Sequence, residues 1–180
     1  MSASPTPEAA ITAARDAAKQ FLRVEGADED ALLARLAGAA IALAEAFLGQ
    51  ALIVRGHEEA VAADGRWRRL RGEPVTAIAG VTATVAGETL AALPTDAFAV
   101  DIGAEGRGWV RVQPFAGARA RVNYTAGLAL TWDDVPEPIA QGVTTLVAHL
   151  FDHREGDATP PAAVAALWRP YRRIRLGDAA

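Results

Sequence analysis

Apolar positions recur with a helical period in residues 1–50, switch to short alternating runs in 51–127, and return to a helical period after Trp132. The first segment predicts a helix from about Pro7 to Leu22. Thr6 suits the cap, Pro7 the first helical position, and Ile11, Ala14, Ala18, Phe21 and Leu22 share a face. Glu25-Gly26-Ala27 breaks it, and Asp28 is placed to cap a second helix, with Glu29 and Asp30 in its first turn against the helix dipole. Leu32, Leu33, Leu36, Leu43 and Phe47 form its main stripe, joined by Ala39 and Ala40, and Gly49 stops it. Further alanines at 31, 34, 37, 42, 44 and 46 carry apolar surface beyond that stripe, the pattern of a helix covered by a neighbour. The strand candidates are Leu52–Arg55, Glu59–Ala63, Trp67–Arg71, Ala77–Val85, Thr89–Leu93, Phe98–Ile102, Trp109–Gln113 and Arg119–Thr125. Asp64-Gly65, Ala86-Gly87 and Gly103 to Gly108 supply turns.

After Trp132, Pro136 and Pro138 suit an opening helical turn. Ile139, Val143, Leu146, Val147, Leu150 and Phe151 then make a strong stripe in a helix running to Arg154 and ended by Gly156. Thr159-Pro160-Pro161 starts a short last helix through Leu167. The expected fold is α+β. A helical core (two helices in 1–50, one long and one short in 128–168) carries an inserted, mostly antiparallel β subdomain at 51–127, and 169–180 is an extended tail.

Charge sharpens this division. The net formal charge of −4 splits into −3 for residues 1–50, +1 for 51–127, −5 for 128–168 and +3 for 169–180. An acidic helical body is a poor nonspecific partner for DNA, whose affinity comes mostly from phosphate neutralisation. The basic tail interleaves Trp168, Tyr171, Ile174 and Leu176 with Arg169, Arg172, Arg173 and Arg175. Trp, Tyr and Arg are favoured interface anchors, so these residues predict either docking on a partner or packing on their own subunit. A second cluster, Arg66, Arg68, Arg69 and Arg71 around Trp67, reads as a solvated strand edge or a phosphate or partner contact. Only nine uncharged residues separate Arg35 from Glu45, too few to span a bilayer, and the N-terminus lacks a signal-peptide pattern, so a soluble protein is expected.

Reaction chemistry is sparse. The chain has no cysteine, and serine occurs only at Ser2 and Ser4 in an N-terminus expected to be disordered, which removes the usual acyl-transfer nucleophiles. Lys19 is the single lysine and follows no phosphate-binding loop. Gly103, Gly106 and Gly108 are spaced in the reverse order of a dinucleotide loop, and a strand follows where a helix is needed. His149 and His153 stand four apart on a helix, as metal ligands can, but lack the glutamate after the first histidine that zinc peptidases use. Asp133-Asp134 sits at a helix start, where capping explains it. No catalytic residue, cofactor or metal is expected.

The ordered set Phe21-Leu22-Arg23-Val24, Gly72-Glu73-Pro74-Val75, Tyr124-Thr125-Ala126-Gly127, Val135-Pro136 and Ala148-His149-Leu150-Phe151-Asp152-His153-Arg154-Glu155 resembles the head–tail connector (adaptor) proteins of tailed phages and of phage-derived gene transfer agents. The resemblance covers residues 11–176. It implies a structural, non-catalytic part of a virion or gene-transfer-agent particle, repeated as a dodecameric ring beneath the portal protein at the head–tail junction. A stopper or tail-terminator protein would lie on the tail side, and DNA would pass through the channel without sequence-specific binding or any membrane contact. It also implies that the tail, Trp168, Arg169, Tyr171, Arg172, Arg173, Ile174, Arg175 and Leu176, reaches the portal. The alternatives are a small regulatory or nucleic-acid-binding module using the arginine clusters and, behind it, an enzyme using His149 and His153.

Overall fold

A computed structural model describes residues 1–85, 88–115, 119–153 and 159–173. The fold is α+β, with four α-helices and eight strands among the described residues. The chain divides into two compact units: residues 1–5 with 54–128, which hold the strands, and residues 6–53 with 129–180, which hold the helices.

In the β unit the strands are β1 (Ser2–Ala3), β2 (Arg55–Ala62), β3 (Trp67–Arg69), β4 (Val75–Val85), β5 (Glu88–Ala92), β6 (Phe98–Ile102), β7 (Gly108–Val112) and β8 (Arg119–Ala126). They form a five-stranded sheet, β1-β2-β8-β4-β5, and a three-stranded sheet, β3-β7-β6. Every strand pair is antiparallel. Alternation decides which side chains go inward: along β8, Ala120, Val122, Tyr124 and Ala126 are buried while Arg121, Asn123 and Thr125 face outward. Val61, Val81, Val110, Val112 and Val122 meet in one apolar cluster drawn from both sheets. Two expectations change here. Leu52–Arg55 is not a strand: Leu52 and Ile53 are buried in the helical unit, where Ile53 forms a lone bridge with Ala129, and β2 begins at Arg55. The N-terminus is ordered, since Ser2 and Ala3 pair with Glu58 and His57 on β2. Of the expected turns, Ala86-Gly87 lies outside the described residues.

In the helical unit α1 spans Glu8–Leu22, α2 Asp30–Leu48, α3 Glu137–Asp152 and α4 Ala162–Trp168. The caps differ from expectation. Pro7 and Glu29 occupy the N-cap positions of α1 and α2, and neither cap is closed by a side-chain hydrogen bond. Asp133 and Asp134 sit in a separate 3-10 turn, where Asp134 Oδ2 accepts from Thr131 Oγ1 at 2.8 Å and from the Thr131 amide at 3.1 Å. For α3, Arg154 and Gly156 lie outside the described residues, and the helix closes at Asp152.

The packing of α1 on α2 corrects the stripes read from the sequence. Alanines line the buried faces, Ala10, Ala14 and Ala18 on α1 and Ala37, Ala40 and Ala44 beside Leu33, Ile41 and Leu48 on α2. Small side chains let two helix axes approach closely, so this alanine face makes the interhelical contact. The approach is close enough that a Cβ at Gly38 would stand 3.8 Å from Ile11 Cδ1. The larger Phe21 and Leu43 are left outside, 54% and 48% exposed. With a mean hydropathy of 1.8, α2 is long and apolar enough to cross a membrane, although here it packs against α1 and α3.

At the loop end of the α1–α2 pair Lys19 Nζ bonds the Asp30 carboxylate, and Arg15 Nη1 approaches its other oxygen at 3.7 Å. The hydrogen bond from Lys19 holds the Asp30 carboxyl below its usual range, with the charges of Lys19 and Arg15 acting in the same direction. A carboxyl depressed in the folded state stabilises above its unfolded pKa of about 3.9, and the stabilisation fades as pH falls through the lower folded value. Asp30→Asn is therefore expected to lower the thermal midpoint slightly at pH 7, with the gap to the native chain closing in acid below about pH 4. Thermal unfolding at the two pH values reads this directly.

Candidate functional site

The basic-aromatic tail begins inside its own subunit. α4 delivers Trp168 into the helical core at 4% exposure, where the indole N–H donates to the Ile139 carbonyl at 3.1 Å. Its ring stands 5.8 Å from that of Phe47. Room for it comes from Gly142 in the middle of α3, since a Cβ there would meet Trp168 Nε1 at 2.2 Å. Glycine in a helix interior costs about 1 kcal/mol against alanine, and here the close approach of Trp168 is the compensating gain. Gly142 was the sequence signal for this contact, and periodicity alone passed over it.

Beyond Trp168 the chain turns through a 3-10 turn, Arg169–Tyr171, and is fastened to the C-terminal end of α2. The Arg173 amide donates to the Leu48 carbonyl at 2.9 Å, and Gln50 Nε2 donates to the Tyr171 carbonyl at 3.1 Å. Leu48 belongs to the last turn of α2, whose carbonyls have no partner within the helix, so the tail supplies one. Gly49, at φ +70°, carries the chain out of α2, and a Cβ there would come within 3.1 Å of the Arg173 carbonyl. The Arg172 guanidinium lies 5.5 Å over the Phe47 ring, a cation–π geometry, while Arg169 and Arg172 remain exposed and Tyr171 half-buried. Trp168 is thus committed to its own core, a correction to its expected role as a docking anchor. Among the described tail residues Arg169, Pro170 and Arg172 are exposed, and Tyr171 and Arg173 are half-buried. Ile174, Arg175 and Leu176 lie outside the described residues.

The other arginine cluster is largely occupied within the β unit. Arg69 Nε and Nη2 both reach Glu73 Oε1 at 2.7 Å, and the Glu73 side chain is 1% exposed. Arg71 Nε stands 3.5 Å from Glu59 Oε1, while Glu59 Oε2 accepts from the Arg71 amide at 2.9 Å and from the Tyr124 hydroxyl at 3.2 Å. That hydroxyl in turn accepts from the Gly72 amide at 2.9 Å, and His57 stacks on the Tyr124 ring at 5.3 Å. Arg68 bonds Asp64, and this hydrogen bond holds the Asp64 carboxyl below its usual range. Trp67 is 45% exposed, with Arg111 5.2 Å over its ring. Arg68, Arg69 and Arg71 therefore neutralise carboxylates of their own unit, which removes most of the charge that a nucleic-acid-binding module would need.

His149 and His153 do meet, with ring centroids 4.3 Å apart, and His153 Nδ1 lies 2.9 Å from the His149 carbonyl. Among the described residues no group of three or more His, Cys, Asp or Glu side chains gathers where one ion could be held. A cleft of about 430 Å³ in the β unit is lined by Ser2, Ser4, His57, Glu58, Asn123 and Tyr124, among others.

No protein-family model and no curated protein matches the sequence. Solved structures do. A chain in the neck of an empty gene transfer agent (GTA) particle, computed with C6 symmetry, superposes with a TM-score of 0.80 at 24% identity, covering 99% of both chains. A chain in the virion of a native GTA particle gives 0.74 at 27% identity, covering 98% of this chain and 96% of that one. A third, in the neck of a native GTA particle computed with C12 symmetry, gives 0.70 at 25% identity over 99% of each. These likenesses to GTA neck and virion chains support the resemblance to head–tail connector proteins.

Proposed function

We propose that this protein is a head–tail adaptor that forms a ring beneath the portal of a phage-like or gene-transfer-agent particle, joins capsid to tail and lets DNA pass. The observation that carries this reading is the likeness, over 99% of both chains, to a chain in a neck computed with C12 symmetry. A ring of identical subunits needs no reaction centre; it needs a rigid body, a self-complementary pair of surfaces and a segment that reaches the next component. The acidic helical unit suits a channel that DNA slides past without sticking, because like charges repel at close range. On the tail side the ring would receive a stopper or tail-terminator protein.

In this proposal the portal-binding element is the tail beyond its anchored root. Trp168, Tyr171 and Arg173 fix where the tail leaves the body, and Arg169, Arg172 and Arg175 with Ile174 and Leu176 meet an acidic, partly apolar portal surface. Deleting residues 174–180 should leave the thermal midpoint close to that of the full chain, because the described contacts that fasten the tail, at Tyr171 and Arg173, are kept. It should reduce joining of tails to DNA-filled heads by at least tenfold in an in vitro complementation assay. Joining at the normal yield would place the portal contact elsewhere on the chain. Single exposed arginines should alter association rate and its salt dependence more than final yield.

A further inference from the structure

One flank of α2 is left largely open by the described residues. Leu32, Leu36, Ala39, Leu43 and Ala46 recur at spacings of four and three, and at about 100° per residue they form a seam roughly 120° around the helix from the buried stripe. Along it Leu32 and Leu36 are half-covered, and Ala39, Leu43 and Ala46 are exposed. The seam is continuous over most of the helix and interrupted by no charge. Leucines interspersed with alanines at this spacing are what a second helix packs into, with leucines as ridges and alanines as the gaps that receive its side chains.

We propose that this flank of α2 is the subunit–subunit contact of the ring and that its occupant is the neighbouring copy of this chain. The inference rests on the adaptor reading and adds the surface through which the ring closes. Two observations favour a second copy over other occupants. Similar chains lie in necks computed with six-fold and twelve-fold symmetry, in which equivalent flanks of successive copies face in one rotational direction. Moreover, a rotational ring is built from heterologous contacts, so each copy must offer a second, different surface for this flank to meet. The helical unit carries further exposed large apolar side chains away from the seam, Phe21 at 54% and Leu130 at 76%. A lipid surface suits α2 less well, because Arg35 and Glu45 stand within its length and its opposite face is buried in protein.

The absence of cysteine makes the test clean. A single cysteine at Leu43 carries a benzophenone, the full chain is assembled into particles, and irradiation is followed by denaturing electrophoresis. The expected product is a ladder in multiples of the 18.8 kDa chain, strong for position 43 and absent for a control cysteine at exposed Asp133. A product joined to a different particle protein or to lipid, an internal link that leaves the chain at monomer mass, or no product would each overturn the proposal. In parallel, Leu43→Glu should keep the native thermal midpoint and lower the number of copies per particle at least tenfold; the native copy number would overturn it. If that variant fails to fold, the photochemical product decides. Reconstruction of the neck from the same particles separates the two claims. A ring in which residue 43 links to no second copy sinks this inference alone, whereas a neck without a ring of this chain sinks the adaptor reading and this inference with it.

Discussion

Replacing Trp168 by alanine is expected to cost the protein about 3–5 kcal/mol, the range for truncating a large buried aromatic side chain. The indole is 4% exposed, its N–H is bonded to the Ile139 carbonyl, and it occupies the space opened by Gly142 and Phe47. Truncation would leave a cavity between α3 and α2 and remove the hydrogen bond to that carbonyl. Against a typical total of about 5–15 kcal/mol, such a loss brings the chain close to unfolding at ordinary temperature. Gly142→Ala should be comparably damaging from the other side of the contact, because the added methyl overlaps the indole and neither helix can yield cheaply. Equilibrium urea unfolding reads both changes. A midpoint for Trp168→Ala equal to that of the native chain would mean that the indole is a surface anchor and that the root of the tail is free.

The second large effect is expected at Glu73. Its carboxylate is buried against Arg69, and removing one partner of a buried pair costs about 3–5 kcal/mol, because the surviving charge stays desolvated without its counter-ion. Arg69 keeps about a fifth of its side-chain surface in water, which places Glu73→Ala near the lower end of that range. Replacing both members together, with Arg69→Met and Glu73→Leu, should recover most of the loss, since neither charge is then stranded. Thermal and urea unfolding of the two single variants and the double variant make a complete cycle. Additive losses in the double variant would show that the pair is not coupled and that the arginine cluster serves some contact outside the unit.

The sequence was most legible where one period dominates. The alternation in Arg119–Thr125 was enough to place β8 and to assign its inward face, and the stripe of α3 likewise identified Ile139, Val143, Leu146 and Val147 as core. Legibility failed on α2 because alanine is apolar on every face: hydrophobicity pointed to the leucines, whereas close helix approach selected the alanines. Trp168 was misjudged for a related reason. A tryptophan flanked by arginines looks like an interface residue, and only the glycine 26 positions earlier in the chain, at Gly142, makes room for it as core. The arginine cluster at 66–71 was read as a solvated strand edge or a phosphate or partner contact, and its partners were not legible without the fold, since Glu59 and Tyr124 reach it from distant strands. No spacing rule connects residues 59, 71 and 124.

The order of the pieces along the whole chain carried more than any one of them. Phe21–Val24, Gly72–Val75, Tyr124–Gly127 and Val135-Pro136 are individually unremarkable. In the structure they fall at the end of α1, the turn into β4, the exit of β8 and the entry to α3, which are junctions between elements. Junctions fix where one element ends and the next begins, so an ordered set of them reports architecture even when identity to solved structures is only 24–27%.

The central claim is that this chain is a ring subunit at the neck of a particle, and the most direct measurement is cryo-electron microscopy of particles assembled with it, reconstructed around the head–tail junction. The account predicts a symmetric ring of twelve copies, each with the α+β fold described above, lying between portal and tail and enclosing a channel wide enough for duplex DNA. Particles with complete, DNA-filled, tailed necks that contain no copy of the chain would contradict it.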